Sequence, residues 1–94
     1  MSGEDAQRID AWLCRARFFK TRALAAKFVE TGRVRLTRHG QEIRLDKASR
    51  TVRPGDELVF AISGRIVAVC VEGLGERRGP ASEAAALYRP LENN

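Results

Sequence analysis

The chain has 94 residues, of which 44% are hydrophobic and 31% charged, and its formal net charge is +5. That length suits a single domain, and the composition is that of a folded chain rather than a disordered one. No apolar run is long enough to cross a bilayer as a helix, and the start Met1-Ser2-Gly3-Glu4-Asp5 lacks the basic and apolar stretches of a secretory signal, so a cytoplasmic location is expected.

Residues 1–7 are read as a flexible N-terminal segment. From Arg8 to about Arg17 the apolar positions Ile9, Trp12, Leu13 and Ala16 follow the spacing of one helix face. Asp10 falls in its first turn, and Arg15 and Arg17 near its end, as the helix dipole favours. Phe18-Phe19 breaks the pattern and Lys20-Thr21-Arg22 reads as a turn. Thr21 is a good N-cap for a second helix over Arg22–Thr31, with Leu24, Ala25, Phe28 and Val29 inward and Gly32 closing its C-terminus.

After Gly32 the period changes to two. Val34 and Leu36 alternate with Arg33, Arg35 and Thr37, which predicts a strand with one basic face. Arg38-His39-Gly40 turns the chain, and Gln41–Leu45 returns as a weaker strand. Pro54-Gly55 centres a turn within Val52–Asp56, and Glu57–Ile62 and Arg65–Glu72 are β-rich runs joined by a tight turn at Ser63-Gly64. The apolar run Ile66–Val71 is expected near the centre of a sheet. Gly73 to Pro80 reads as a loop, and Ser82–Tyr88 as a short helix with Ser82 as its N-cap and Pro90 as its stop. A helix of seven residues cannot stand alone, so Leu87 or Tyr88 has to dock on the rest. The order αα-ββ-ββ-α predicts an α+β fold, two N-terminal helices on a small, mainly antiparallel sheet, with a short C-terminal helix.

The charge is segregated. Residues 8–53 hold 13 Lys and Arg against four acids, a net +9, which leaves −4 for the rest of the chain. Within Arg15–Arg38 eight basic residues face Glu30 alone. Mixed signs would serve solubility as well, whereas clustered cations favour a polyanion through counterion release and long-range attraction. Lys20 and Arg22 flank Thr21 at a helix N-terminus, where backbone N–H groups already favour a phosphate. Arg33 and Arg35 share one strand face, and Arg15 and Arg17 leave the end of the first helix. A solvated basic face is the plainer reading of any one arginine, less so of the set.

Catalytic chemistry finds few candidates. The single His39 lies in a turn, where a general base would lack fixed geometry. There is no phosphate-binding GxxxxGK[ST] or GxGxxG loop, and the acids have basic neighbours (Asp10 and Arg8, Glu30 and Lys27, Asp46 and Lys47). Cys14 and Cys70 with one histidine cannot make up a zinc site, and both are read as buried or half-buried thiols. No enzyme activity, metal or cofactor is expected. Trp12, Phe18, Phe19 and Phe28 could stack on bases, but burial in the core is the more common fate.

Four pieces carry a resemblance. Arg8-Ile9-Asp10-x-Trp12-Leu13, Arg17-Phe18-x-Lys20-Thr21-Arg22-x-Leu24-Ala25, Gly32-Arg33-Val34-Arg35-Leu36 and Val52-x-Pro54-Gly55-Asp56-x-Leu58 together resemble the RNA-binding domain of small-subunit ribosomal protein S-four, the αL motif. The segment Arg77–Tyr88 resembles the C-terminal part of the bacterial fifteen-kilodalton heat-shock protein family. The resemblance implies a module that grips structured ribosomal RNA. It further implies the free large ribosomal subunit as partner, with peptidyl-tRNA, in ribosome rescue or the heat-shock response. By this analogy Arg8, Arg17, Lys20, Thr21, Arg22, Arg33 and Arg35 face RNA, and charge alone adds Arg15, Lys27 and Arg38. The expected division is residues 8–75 as the RNA-binding domain and 76–94 as an extension, in a monomer. The sequence departs from the family in Ala11, often Lys there, and in the longer hairpin tip Thr37-Arg38-His39-Gly40. The alternatives are a targeting module of a pseudouridine-synthase-type enzyme, for which this length leaves no catalytic domain, and a general binder of DNA.

Overall fold

The computed structural model describes residues 6–91. The period-3.6 pattern gives two helices, α1 (Ile9–Arg15) and α2 (Arg22–Glu30), and the period-two pattern gives strands β2 (Val34–Arg38), β3 (Gln41–Leu45), β5 (Glu57–Ile62) and β6 (Arg65–Val71). Four short elements complete the chain: β1 (Gln7–Arg8), β4 (Thr51–Val52), α3 (Ala81–Ala85) and β7 (Tyr88–Pro90). Five strands form one antiparallel sheet in the order β3-β2-β5-β6-β7, and β1 pairs with β4 apart from it. The fold is α+β, with α1 and α2 packed on one face of the sheet. The expected flexible segment 1–7 falls mostly outside the described residues; its last member, Gln7, lies in β1.

Register decides which side chains meet. Val34 pairs with Leu45, Leu36 with both Ile43 and Leu58, and Leu58 with Val69, so these residues form the inner face. They close over Ile9, Trp12, Leu13, Ala25 and Val29 from the helices. Arg35 pairs with Arg44 and Val59, which puts all three on the outer face. In place of the longer tip expected at Thr37-Arg38-His39-Gly40, Thr37 pairs with Glu42 and Arg38 with Gln41. Both hairpins close in two-residue turns, with positive φ at His39 (53°) and Gly40 (77°) and at Ser63 (52°) and Gly64 (78°). That geometry matches the twist of the strands it joins. The Asp56 N–H donates to Arg53 O at 3.0 Å, with Pro54 second and Gly55 third in the turn at φ 99°, the arrangement of a type II turn.

Other expectations also need correcting. Leu24 is 51% exposed, because α2 meets the core along the stripe of Ala25 and Val29, with Phe28 packed at its rim. The C-terminal helix ends at Ala85 and starts after Pro80 without a side-chain cap, so Ser82 is not its N-cap. Tyr88 has left the helix for β7, where pairing with Val71 and packing on Phe18 and Trp12 at centroid distances of 4.8 and 6.4 Å outweigh propensity. Pro90, which has no N–H to donate, ends this edge strand. Finally, β6 is central only along Val69–Val71, where β7 covers it; Ile66 is 73% exposed.

Candidate nucleic-acid interface

Asp10 organises the basic residues at the helix starts. Its carboxylate accepts from Arg8 Nε at 3.2 Å and Nη2 at 3.0 Å, and from the Ala11 N–H at 2.7 Å. Arg22 Nε reaches the same carboxylate at 3.3 Å. The Asp10 side chain is 3% exposed, whereas Arg8 and Arg22 are 45% and 55% exposed, so both guanidiniums are held from behind and open in front. Burial would raise the carboxyl pKa, but Arg8, the Ala11 N–H and Arg22 together outweigh it and hold Asp10 below its ordinary range.

The backbone of both arginines is fixed independently. Arg8 pairs with Thr51 across β1 and β4, and the next residue, Ile9, donates its N–H to Arg50 O at 2.7 Å. Arg22 opens α2 directly after Thr21, whose hydroxyl accepts the Leu24 N–H at 3.1 Å. Thr21 thus serves as the expected cap. Lys20 is exposed beside it, and Lys27 lies exposed one turn and a half further along α2.

Arg33 and Arg35 do not join this group. They follow the C-terminal end of α2, a helix of nine residues and so about 13 Å long, and Arg35 points from the outer face of the sheet. There Arg35 Nη1 pairs with Glu42 at 3.2 Å, both side chains exposed. Arg44, which the charge pattern did not single out, stands opposite Arg35, and its guanidinium lies over Gly32, where a Cβ would come within 2.6 Å of Nη2. The alternation of β3 against β2 was the signal that could have found it. The single expected surface is therefore two patches, one at each end of α2.

The other three arginines turn toward the protein. Arg38 Nε and Nη2 donate to Asp56 Oδ1 and Oδ2 at 2.9 and 2.7 Å, and Asp56 is buried. Arg15 Nη1 donates to Gly75 O at 2.9 Å and Arg17 Nη1 to Gly79 O at 2.8 Å. With Trp12 Nε1 donating to Gly73 O at 2.8 Å, the end of α1 holds the loop after β6 at three carbonyls. Arg17 has φ 67° and closes α1 as a C-terminal cap. Its N–H reaches Cys14 O at 3.0 Å and that of Phe18 reaches Leu13 O at 3.0 Å, the Schellman pattern with arginine in the place glycine usually takes. The aromatics serve the core. Trp12 is fully buried, and Phe18, Phe19 and Phe28 pack at its margin. Cys70 is buried and Cys14 half-buried, both free.

Residues 7–36 match the family model of the S4 domain. The chain is 42% identical over 81 residues to heat shock protein 15 of Escherichia coli (strain K12), covering 86% of this chain and 57% of that protein. It is 34% identical over 85 residues to the RQC P-site tRNA stabilizing factor of Bacillus subtilis (strain 168), covering 90% of this chain and 92% of that one. A solved structure of Vibrio cholerae heat shock protein 15, described as trimeric, superposes with a TM-score of 0.78 at 34% identity, over 93% of this chain and 83% of that chain. The chain belongs to the heat shock protein 15 family of S4-domain proteins. It spans little more than half the length of the Escherichia coli relative. The S4 match takes in both the Arg8–Asp10–Arg22 cluster and the Thr21 cap, and stops short of Arg38.

Proposed function

We propose that this S4-domain protein is a non-catalytic binder of structured ribosomal RNA, acting on the free large ribosomal subunit in ribosome rescue or recycling. The observation that carries the reading is the convergence of Arg8 and Arg22 on one buried carboxylate beside Lys20 and the capped start of α2. Guanidiniums fixed at their inner edge offer a phosphate a ready pair of donors, and the start of α2 adds the positive pole of its dipole. The name of the Bacillus subtilis relative ties that protein to a P-site tRNA. A tRNA on the large subunit is accordingly the second ligand we assign, in keeping with peptidyl-tRNA as partner.

Replacing Lys20 and Arg22 together with Ala is expected to weaken binding to structured RNA. The log–log salt slope should fall by about 0.7–0.9 for each phosphate the variant no longer neutralises. An unchanged slope would remove the anion site. On a sucrose gradient the protein should travel with free large subunits more than with intact ribosomes, and equal spread would count against the ribosomal role. Competition with duplex DNA separates this reading from that of a general nucleic-acid binder. The proposed binding unit is one chain, since Arg8, Lys20 and Arg22 lie on the same chain. Analytical ultracentrifugation decides between a monomer and a trimer like that of the Vibrio cholerae relative.

A further inference from the structure

We infer that Asp10, an acid set inside the basic surface at the helix starts, is a positioning residue for RNA: it strengthens binding to a polyanion although it carries the wrong charge. The inference rests on the RNA-binding reading and names how that site is held.

Three observations carry it. The carboxylate is shared between two separate elements, Arg8 at the start of α1 and Arg22 at the start of α2, and is itself shielded from solvent. A ligand phosphate therefore meets the arginines and not the acid. Arg8 gives Asp10 two of the five N–H donors of its guanidinium, one from Nε and one from Nη2, which leaves three for a ligand. A long arginine side chain otherwise loses rotamer freedom on binding, and a partner that has already fixed it removes that cost from the encounter. Electrostatically, two guanidiniums and one carboxylate leave the cluster at net +1, so attraction to phosphate survives the pairing. The exposed pair Arg35–Glu42 on the outer face is the contrast. There both side chains are open to solvent, 59% and 55%, and the acid is as accessible to a ligand as the base.

The two roles of an acid in a cationic site predict opposite signs. By charge alone, Asp10→Asn removes a repulsion and should tighten RNA binding, as Glu42→Gln should at the outer face. As a positioning residue, Asp10 should do the reverse. Asp10→Asn should weaken binding to structured RNA about tenfold, the scale of removing one charge-assisted hydrogen-bond partner. It should also lower the log–log salt slope, while Glu42→Gln binds at least as well as the parent. Binding is measured on the full chain well below the melting midpoint of each variant, with circular dichroism confirming the folded state. Should Asp10→Asn not fold, Asp10→Glu keeps the charge and moves the carboxylate by one methylene. A loss of affinity at constant charge then supports positioning, and parental affinity overturns it. Asp10→Asn at or above parental affinity overturns the inference while leaving RNA binding in place. Failure of the parent chain to bind structured RNA would instead sink the RNA-binding reading itself.

Discussion

Among the described residues, Asp56 and Asp10 are the buried charged side chains, and both are held by arginine. A buried carboxylate is costly without partners, and a pair of this kind shows its worth mainly when one member is removed. Asp56 accepts from Arg38 at 2.9 and 2.7 Å and from the Arg53 N–H at 2.8 Å, so it ties the end of β2 to the turn that leads into β5. Asp56→Ala should lower stability by roughly 3 kcal/mol, the low end for a broken buried pair because Arg38 keeps some access to water. Urea unfolding monitored by Trp12 fluorescence measures it, and a loss under about 1 kcal/mol would mean that solvent replaces the carboxylate. The Pro54-Gly55-Asp56 run is visible in the sequence as a turn. Its use as an anchor for Arg38 is not, because the partner lies 18 positions away and nothing local marks it.

Among the elements, α2 is legible almost to the residue, since cap, apolar stripe and closing glycine are all local signals. Thr21→Ala should cost about 1 kcal/mol, the ordinary worth of a side-chain cap, and should loosen the start of the helix that carries Arg22. Amide hydrogen exchange at Leu24 and Ala25 is the direct readout; protection as in the parent would show the cap to be dispensable. The elements that local signals misplace are those made by pairing. β1 and β4 are two residues each and exist because Gln7 meets Val52 and Arg8 meets Thr51. β7 exists because the end of β6 leaves an edge open to Tyr88 and Arg89. Strand propensity over two or three residues carries too little signal to find such pieces.

For the whole molecule, the segment Tyr88–Pro90 is built into the sheet that the basic segment begins. Trp12, Arg15 and Arg17 hold the loop after β6, and Tyr88 packs against Trp12 and Phe18. Acid should expose the role of Asp10 in this assembly. Its carboxyl is depressed in the folded state, so its contribution is present above the unfolded value near 4 and lost as pH falls through the lower folded value. The stability difference between the parent and Asp10→Asn should hold steady from pH 7 to about 5 and shrink below about 4. Urea midpoints across that range test the sign, and a difference that grows toward acid would contradict it.

Sequence by itself determined the α+β class, the two helices, the tight hairpin at Ser63-Gly64 and the basic character of residues 8–53, because each rests on periodicity, turn chemistry or charge within a few positions. Tertiary structure alone decided which of those cations are brought together. Arg8 and Arg22 are joined by a carboxylate, Arg35 is carried to the far face of the sheet by register, and Arg15, Arg17 and Arg38 are turned onto the protein's own acceptors. A guanidinium can reach a phosphate, a carbonyl or a carboxylate with nearly the same geometry, so its partner is chosen by what folding brings within about 3 Å of it.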